Sequence, residues 1–192
     1  MPNTILDTLE DALKNLDWKF ITPSRCNYKD NEQTPIDLKI QKWQERMFAY
    51  ELYHQLRVRW DANPELQKEF VIHAEVRKAY QRIKDFDWMP DFIFHLPNSG
   101  NNVAVVEIKR ASQPYNQIFD DIRKLWEFKQ RLGYLHTIEI LFGTRRHCEK
   151  IIRKLLKARG GTPIDLFCVF TEDNTEHKKV ELQRITFEAL PE

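Results

Sequence analysis

The sequence predicts an α/β protein in which helices flank a mixed central sheet. Two observations carry that expectation. Runs of β-branched and aromatic residues alternate with stretches whose apolar residues recur every three and four positions, so strands and helices interleave along one chain. The strands at 89–95 and 103–109 are joined by a short turn and should pair antiparallel, whereas later strands are separated by helices and should pair in parallel through right-handed crossovers. A sheet holding both kinds of connection is mixed.

The first helix opens at Thr4-Ile5-Leu6-Asp7, with Asn3 or Thr4 as cap and Ile5, Leu9, Ala12, Leu13 and Leu16 as its apolar stripe. Residues 23–35 are polar, turn-rich and aperiodic, which reads as an exposed loop. The longest helical pattern covers about 36–59. One stripe in it is Ile36, Ile40, Trp43, Met47 and Tyr50; beside it Phe48, Ala49, Leu52 and Leu56 continue a face whose N-terminal end is Glu45, with Glu51 behind it. Asn63-Pro64-Glu65 starts a short helical turn, and residues 70–77, with Glu75 among them, read as a strand.

After the hairpin, Pro114 fits the first position of a helix that runs to about Leu132 and is closed by Gly133. Ile118, Ile122, Leu125 and Trp126 form its inner face, and Asp121 and Lys124 are spaced for an ion pair on the helix. A strand at 136–142, a basic helix at about 146–159 ended by Gly160-Gly161, a strand at 164–170 and an edge strand within 178–190 complete the order. We read one domain over 1–192: an N-terminal helix and loop to about 35, a core from 36 to 170, and a C-terminal edge strand from 171.

Composition narrows the class. With 42% hydrophobic and 31% charged residues, a chain of 192 can bury a full core. It holds no apolar run long enough to span a bilayer, and Met1-Pro2-Asn3-Thr4 lacks the basic-then-hydrophobic start of an export signal, so no membrane is expected. Three cysteines, Cys26, Cys148 and Cys168, are too few for a disulfide framework and fit a reducing cytoplasm. The six histidines show no zinc-like spacing. Thirty basic residues against 29 acidic leave a net charge of +1, so any polyanion must be held by local patches. The clearest patch is the basic helix, where Arg145, Arg146, Lys150, Arg153 and Lys154 would form the solvent face over Ile151, Ile152 and Leu155 and could hold phosphates.

The informative stretch is the hairpin. Met89-Pro90-Asp91-Phe92-Ile93-Phe94-His95 and Val103-Ala104-Val105-Val106-Glu107-Ile108-Lys109 flank a turn rich in Pro, Gly and Asn. Side chains alternate across a strand, so Glu107 and Lys109 share one face, and folding back across the turn brings Asp91 opposite them within a residue or so. Charges on so apolar a strand are costly unless compensated. An interstrand salt bridge is one compensation. A divalent cation is the other: Asp91, Glu107 and the Ile108 carbonyl are hard oxygen donors suited to Mg²⁺, with Mn²⁺ able to substitute. Lys109 would then deprotonate or orient a water, or stabilise charge developing on phosphorus.

At Pro90-Asp91 and Glu107-Ile108-Lys109 the chain resembles the PD-(D/E)XK nuclease superfamily, the restriction-endonuclease-like fold. The resemblance implies an αβββαβ core and Mg²⁺-dependent hydrolysis of phosphodiester bonds, with Asp91, Glu107 and Lys109 as catalytic residues and nucleic acid, DNA before RNA, as partner. It also implies an acidic residue from the first core helix near the metal, for which Glu45 is the candidate, and polar substrate contacts after Lys109, for which Gln117 is a candidate beside Gln113 and Arg110. Many members are endonucleases that dimerise to cut both strands, although no stretch here declares an interface. Two rivals stay open: a catalytically inactive DNA-binding or assembly module using the Arg145 to Arg159 face, and a phosphohydrolase of mononucleotides.

Overall fold

The computed structural model describes residues 4–17, 36–75, 88–96, 99–157, 161–170 and 182–189. Six strands form one sheet in the order of the chain, β1 (Val71–Ala74), β2 (Phe92–His95), β3 (Asn102–Arg110), β4 (His136–Gly143), β5 (Gly161–Phe170) and β6 (Leu182–Ala189). β1, β2 and β3 pair antiparallel, β3, β4 and β5 pair in parallel, and β6 returns antiparallel on β5. The sheet is therefore mixed, and the chain is an α/β protein with helices on both faces.

Each parallel step requires a crossover, and the two helices that make them, α4 (Tyr115–Leu132) and α5 (Arg145–Leu155), cover one face. Their apolar residues Ile118, Leu125, Phe128, Ile151 and Leu155 pack on Val105, Leu141, Leu166 and Cys168. The other face is covered by α1 (Thr4–Lys14) and α2 (Ile36–Ala62), with the short α3 (Pro64–Glu69) leading into β1. Here Leu9, Leu13, Phe48, Leu52 and Leu56 meet Val106, Ile108, Ile140 and Phe142. Alternation along each strand feeds both layers, which is why β3 to β5 are apolar almost throughout. Among the described residues no helix is long and apolar enough to cross a membrane.

Local signals hold in most places. The α1 stripe is buried in full. Asn63 caps α3 by accepting the Glu65 N–H, with Pro64 at the first helical position. Gly133, at φ 66, ends α4 in the left-handed conformation that a residue with Cβ adopts with strain. Thr144 caps α5 by accepting the His147 N–H, so the helix begins at Arg145, one residue earlier than its sequence suggests, and stops at Leu155.

Other expectations are corrected. Pro114 stands at the cap of α4, not at its first position, because its ψ of 136 is extended. β1 ends at Ala74: Glu75 takes a left-handed backbone, φ 50, which turns it out of the strand in which the sequence placed it. On α2 the buried stripe is Phe48, Leu52 and Leu56, whereas Tyr50 is exposed and Met47 half-buried. Trp126 is only half-buried, and its expected place on α4 is taken by Phe128. The Asn3 cap, the loop at 23–35, Cys26, and the side chains of Ile36, Ile40, Trp43 and the C-terminal edge strand lie outside the described residues.

Phe48 ties the helical layer to the middle of the sheet, its ring stacked on Phe142 of β4 at 4.4 Å between centroids. Phe48→Ala should lower unfolding free energy by about 3–5 kcal/mol in urea denaturation. A loss below about 1 kcal/mol would show that α2 docks by other contacts.

Candidate functional site

β2 starts at Phe92, opposite Val106, so β3 runs on through Arg110 with no strand beside it on that edge among the described residues, while its other edge stays paired with β4. Amides along such an edge need acceptors. Two carboxylates supply them. Asp91, one step beyond the Phe92–Val106 pair and so opposite Glu107, accepts the Ile108 N–H with Oδ2 at 2.6 Å. Glu45, reaching over from α2, accepts the Arg110 N–H with Oε1 at 3.1 Å, and the Gln113 side-chain amide lies 3.4 Å from the same oxygen. N–H and C=O of one strand residue point to the same side, so the Ile108 carbonyl opens on this edge as well. Asp91 is also held by its main chain, its carbonyl accepting the Glu75 N–H at 3.0 Å.

Glu107 and Lys109 alternate with Ile108 and point to the α4 face. There Asp121, on α4, meets Lys109 Nζ with Oδ2 at 3.0 Å and Lys124 Nζ with Oδ1 at 2.6 Å. Asp91, Glu107, Ile108, Lys109, Asp121 and Lys124 line one side of a cleft of about 680 Å³ that opens between the end of the sheet and α2. Its other side is made by α2 and the ends of the hairpin strands: Glu45, Arg46, Tyr50, Glu75 and Met89. Arg46 and Glu75 face each other across the rim at 3.9 Å.

The electrostatics are strained in one direction. Burial pushes the Asp91 carboxyl up to about 6, against the Ile108 N–H and Lys109, which pull it down. Glu107 is raised well above the usual carboxylate range, by burial first and then by Asp91 and Asp121. Glu139, the residue beside Glu107 in the β3–β4 register, has no exposed surface, and neither carboxylate oxygen has a hydrogen-bond partner among the described residues; burial, then Asp121 and Glu107, raises it well above its ordinary value. Burial, the largest single influence, works to lower Lys109, but the Asp121 carboxylate together with Glu45 and Glu139 outweighs it, so the proton is held more tightly than in water.

The chain thus brings Asp91, Glu107, Lys109 and Glu45 to one cleft, with Glu75 on its rim. Glu51 is elsewhere, accepting the Asp17 N–H at 3.0 Å and the Gln55 amide at 2.8 Å. Gln117 is exposed on α4 and does not line the cleft, whereas Gln113 touches Glu45. Arg145, Arg146, Lys150, Arg153 and Lys154 lie on α5 and none lines the cleft. Arg145 sits over the Phe170 ring at 4.4 Å, Lys154 over Tyr115 at 4.8 Å, and Arg153 is 3.5 Å from Glu149.

Three features in or beside the cleft were not assigned to it by sequence reasoning, which read Asp121 only as the helix partner of Lys124, a pair that forms at 2.6 Å; each left a signal. Asp121 falls among Ile118, Ile122 and Leu125 at the spacing of the buried face, an acid where an apolar residue belongs. Glu139 interrupts the apolar run from Ile138 to Phe142. Tyr50 and Met89 are large, exposed and on the cleft wall, but exposure is invisible in a pattern of residue types.

The donor set suits a hard cation: two facing carboxylates and a backbone carbonyl, in a place where acids repel one another. Among the described residues no three His, Cys, Asp or Glu side chains come together as a metal-binding group, so a cation held here would complete its shell with water and substrate oxygens.

Carboxyls raised on folding stabilise the folded state while protonated, fully so below their unfolded values, and the contribution is lost as pH rises through the folded ones. For Asp91 that window runs from 3.8 to about 6, and Glu107 and Glu139 extend it upward. In chelator, thermal stability should therefore fall between about pH 5 and pH 8. Glu139→Gln should raise the midpoint by about 3 °C at the upper pH and less at the lower, because it removes an ionisable group from an apolar site. A midpoint that Glu139→Gln lowers equally at both would show that the acid makes a stabilising contact.

Compared with models of protein families, with characterised proteins and with solved structures, the chain matches none.

Proposed function

We propose that the cleft is the active site of a Mg²⁺-dependent nuclease on a restriction-endonuclease-like core, with DNA as substrate. The observation that carries this is the meeting of Asp91 and Glu107 across the end of β3, with Lys109 beside them in an open cleft. The elements run α2, α3, β1, β2, β3, α4, β4, which, with the short α3 set aside, is compatible with the αβββαβ order that the resemblance at Pro90-Asp91 and Glu107-Ile108-Lys109 implies and supports the reading.

In this reading Asp91, Glu107 and the Ile108 carbonyl hold the cation. When bound, Mg²⁺ supplies a water of lowered pKa and neutralises charge on the phosphate. The protein's part is to place the donors: the Ile108 N–H fixes one oxygen of Asp91 and leaves the other for the cation, and Glu45 holds the strand end through the Arg110 N–H. Lys109, whose ammonium is held by Asp121, is placed to orient the water or to stabilise the developing oxyanion. Glu45 also stands close enough to enlarge the ligand set through water.

A second reading has one observation in its favour: Lys109 is already engaged by Asp121, as in a purely structural ion cluster. The protein would then be a binding module working through the cations of α5.

The discriminating experiment is cleavage of supercoiled plasmid, linear duplex, single-stranded DNA and RNA with Mg²⁺ or Mn²⁺. Wild type should cut with either metal and not with Ca²⁺, and Glu107→Gln and Lys109→Ala should each lose about a hundredfold or more of the rate while keeping their fold by circular dichroism. Cleavage of RNA alone would move the substrate class. A wild type that cuts nothing but binds DNA through α5, measured with Arg146→Ala/Lys150→Ala, would establish the binding module instead, and turnover of mononucleotides alone would establish a phosphohydrolase.

A further inference from the structure

Asp121 is out of place on its helix. It occupies the buried face of α4 between Ile118, Ile122 and Leu125, with 4% of its side chain exposed. An apolar residue of similar size would serve packing as well or better, since a buried ion cluster is seldom a net source of stability. Its two oxygens are divided between two lysines, Lys109 at 3.0 Å and Lys124 at 2.6 Å, which reach it from different elements and both line the cleft. One carboxylate against two ammoniums leaves this trio at +1, beside Asp91 and Glu107 on the same side of the cleft.

Each ammonium carries three N–H donors and a contact with Asp121 occupies one. Lys124 keeps 35% of its side chain exposed and Lys109 21%. Lys124 is therefore a cation aimed into the cleft and held there by a rigid helix, at a place that the cations of α5 do not reach. A phosphodiester chain lying between carboxylates and lysines would meet a positive charge at more than the reacting group.

We propose that Lys124 binds a phosphate of the substrate strand next to the scissile one, and that Asp121 is the positioning residue that sets Lys124 and Lys109 side by side. This rests on the nuclease reading and adds a phosphate subsite to it. It predicts a division of labour. Lys109 acts on the reacting phosphate and so on kcat; Lys124 acts on a phosphate that does not react, and so on affinity.

The test is fluorescence anisotropy with labelled single-stranded and duplex oligonucleotides in Ca²⁺ at several salt concentrations, paired with cleavage kinetics in Mg²⁺. Lys124→Ala should weaken binding about tenfold and lower the slope of log affinity against log salt by about 0.7 for single strands or 0.9 for duplex. Lys124→Arg should restore both, and Lys68→Ala, on exposed α3, should change neither. Lys109→Ala should act mainly on kcat, and Asp121→Asn on both kcat and KM, with thermal midpoints that do not fall. If Lys124→Ala binds with wild-type affinity and salt slope while wild type cuts, the subsite is refuted and the nuclease stands. If Asp121→Asn loses stability in proportion to activity, its role is structural and the positioning claim falls. If wild type neither cuts nor binds, the nuclease reading fails and takes the subsite with it.

Discussion

The structure of the cleft depends on one constraint: among the described residues, the last ones of β3 have no neighbouring strand on one edge. β2 begins too late to cover them, so the amides of Ile108 and Arg110 must find acceptors among side chains. They find Asp91 and Glu45, one delivered by the start of the hairpin and one by the helix above the sheet. Charged hydrogen bonds of this kind are stronger than neutral ones, and they fix carboxylates whose remaining oxygens open on the cleft. The same vacancy that exposes the strand edge makes room for a ligand. If β2 began four residues earlier, the edge would be paired as far as Arg110 and the cleft closed.

Around that edge, folding gathers acids that disfavour one another. Asp91, Glu107, Glu139 and Asp121 come from four elements, and burial raises three of them without enough donors in compensation. A protein under selection for stability alone would fill Glu139 and Asp121 with apolar side chains, as it fills their neighbours on β4 and α4. The core on either side, stacked on Phe142 and closed by α4 and α5, is well packed enough to hold such a locally unfavourable cluster.

Much of this was legible before any coordinates. Alternation and turn residues place Asp91 opposite Glu107, and the register Phe92↔Val106 agrees with that pairing. Helical spacing locates α1, α2, α4 and α5 to within a few residues, and strand–helix–strand order anticipates the parallel steps. Less legible were features that depend on exposure or on the shape of the chain between elements. Glu75 leaves β1 through a left-handed turn that no residue type announces, and Tyr50 belongs to an apolar stripe by spacing but to the cleft wall by position.

By itself, the sequence determined the elements and which residues share a face, because the periods of helix and strand are local properties of the backbone. It therefore singled out Asp91, Glu107 and Lys109. Only the tertiary structure decided how the groups around them meet: Glu45, already a candidate from the sequence, on the Arg110 amide, Asp121 on Lys109 as well as on its helix neighbour Lys124, and Glu139 beside Glu107. Apart from the Asp121–Lys124 pair within one helix, those contacts join separate elements, and their energies come from burial and from the opposing charge across a packed interface. Neither quantity exists until the chain has folded.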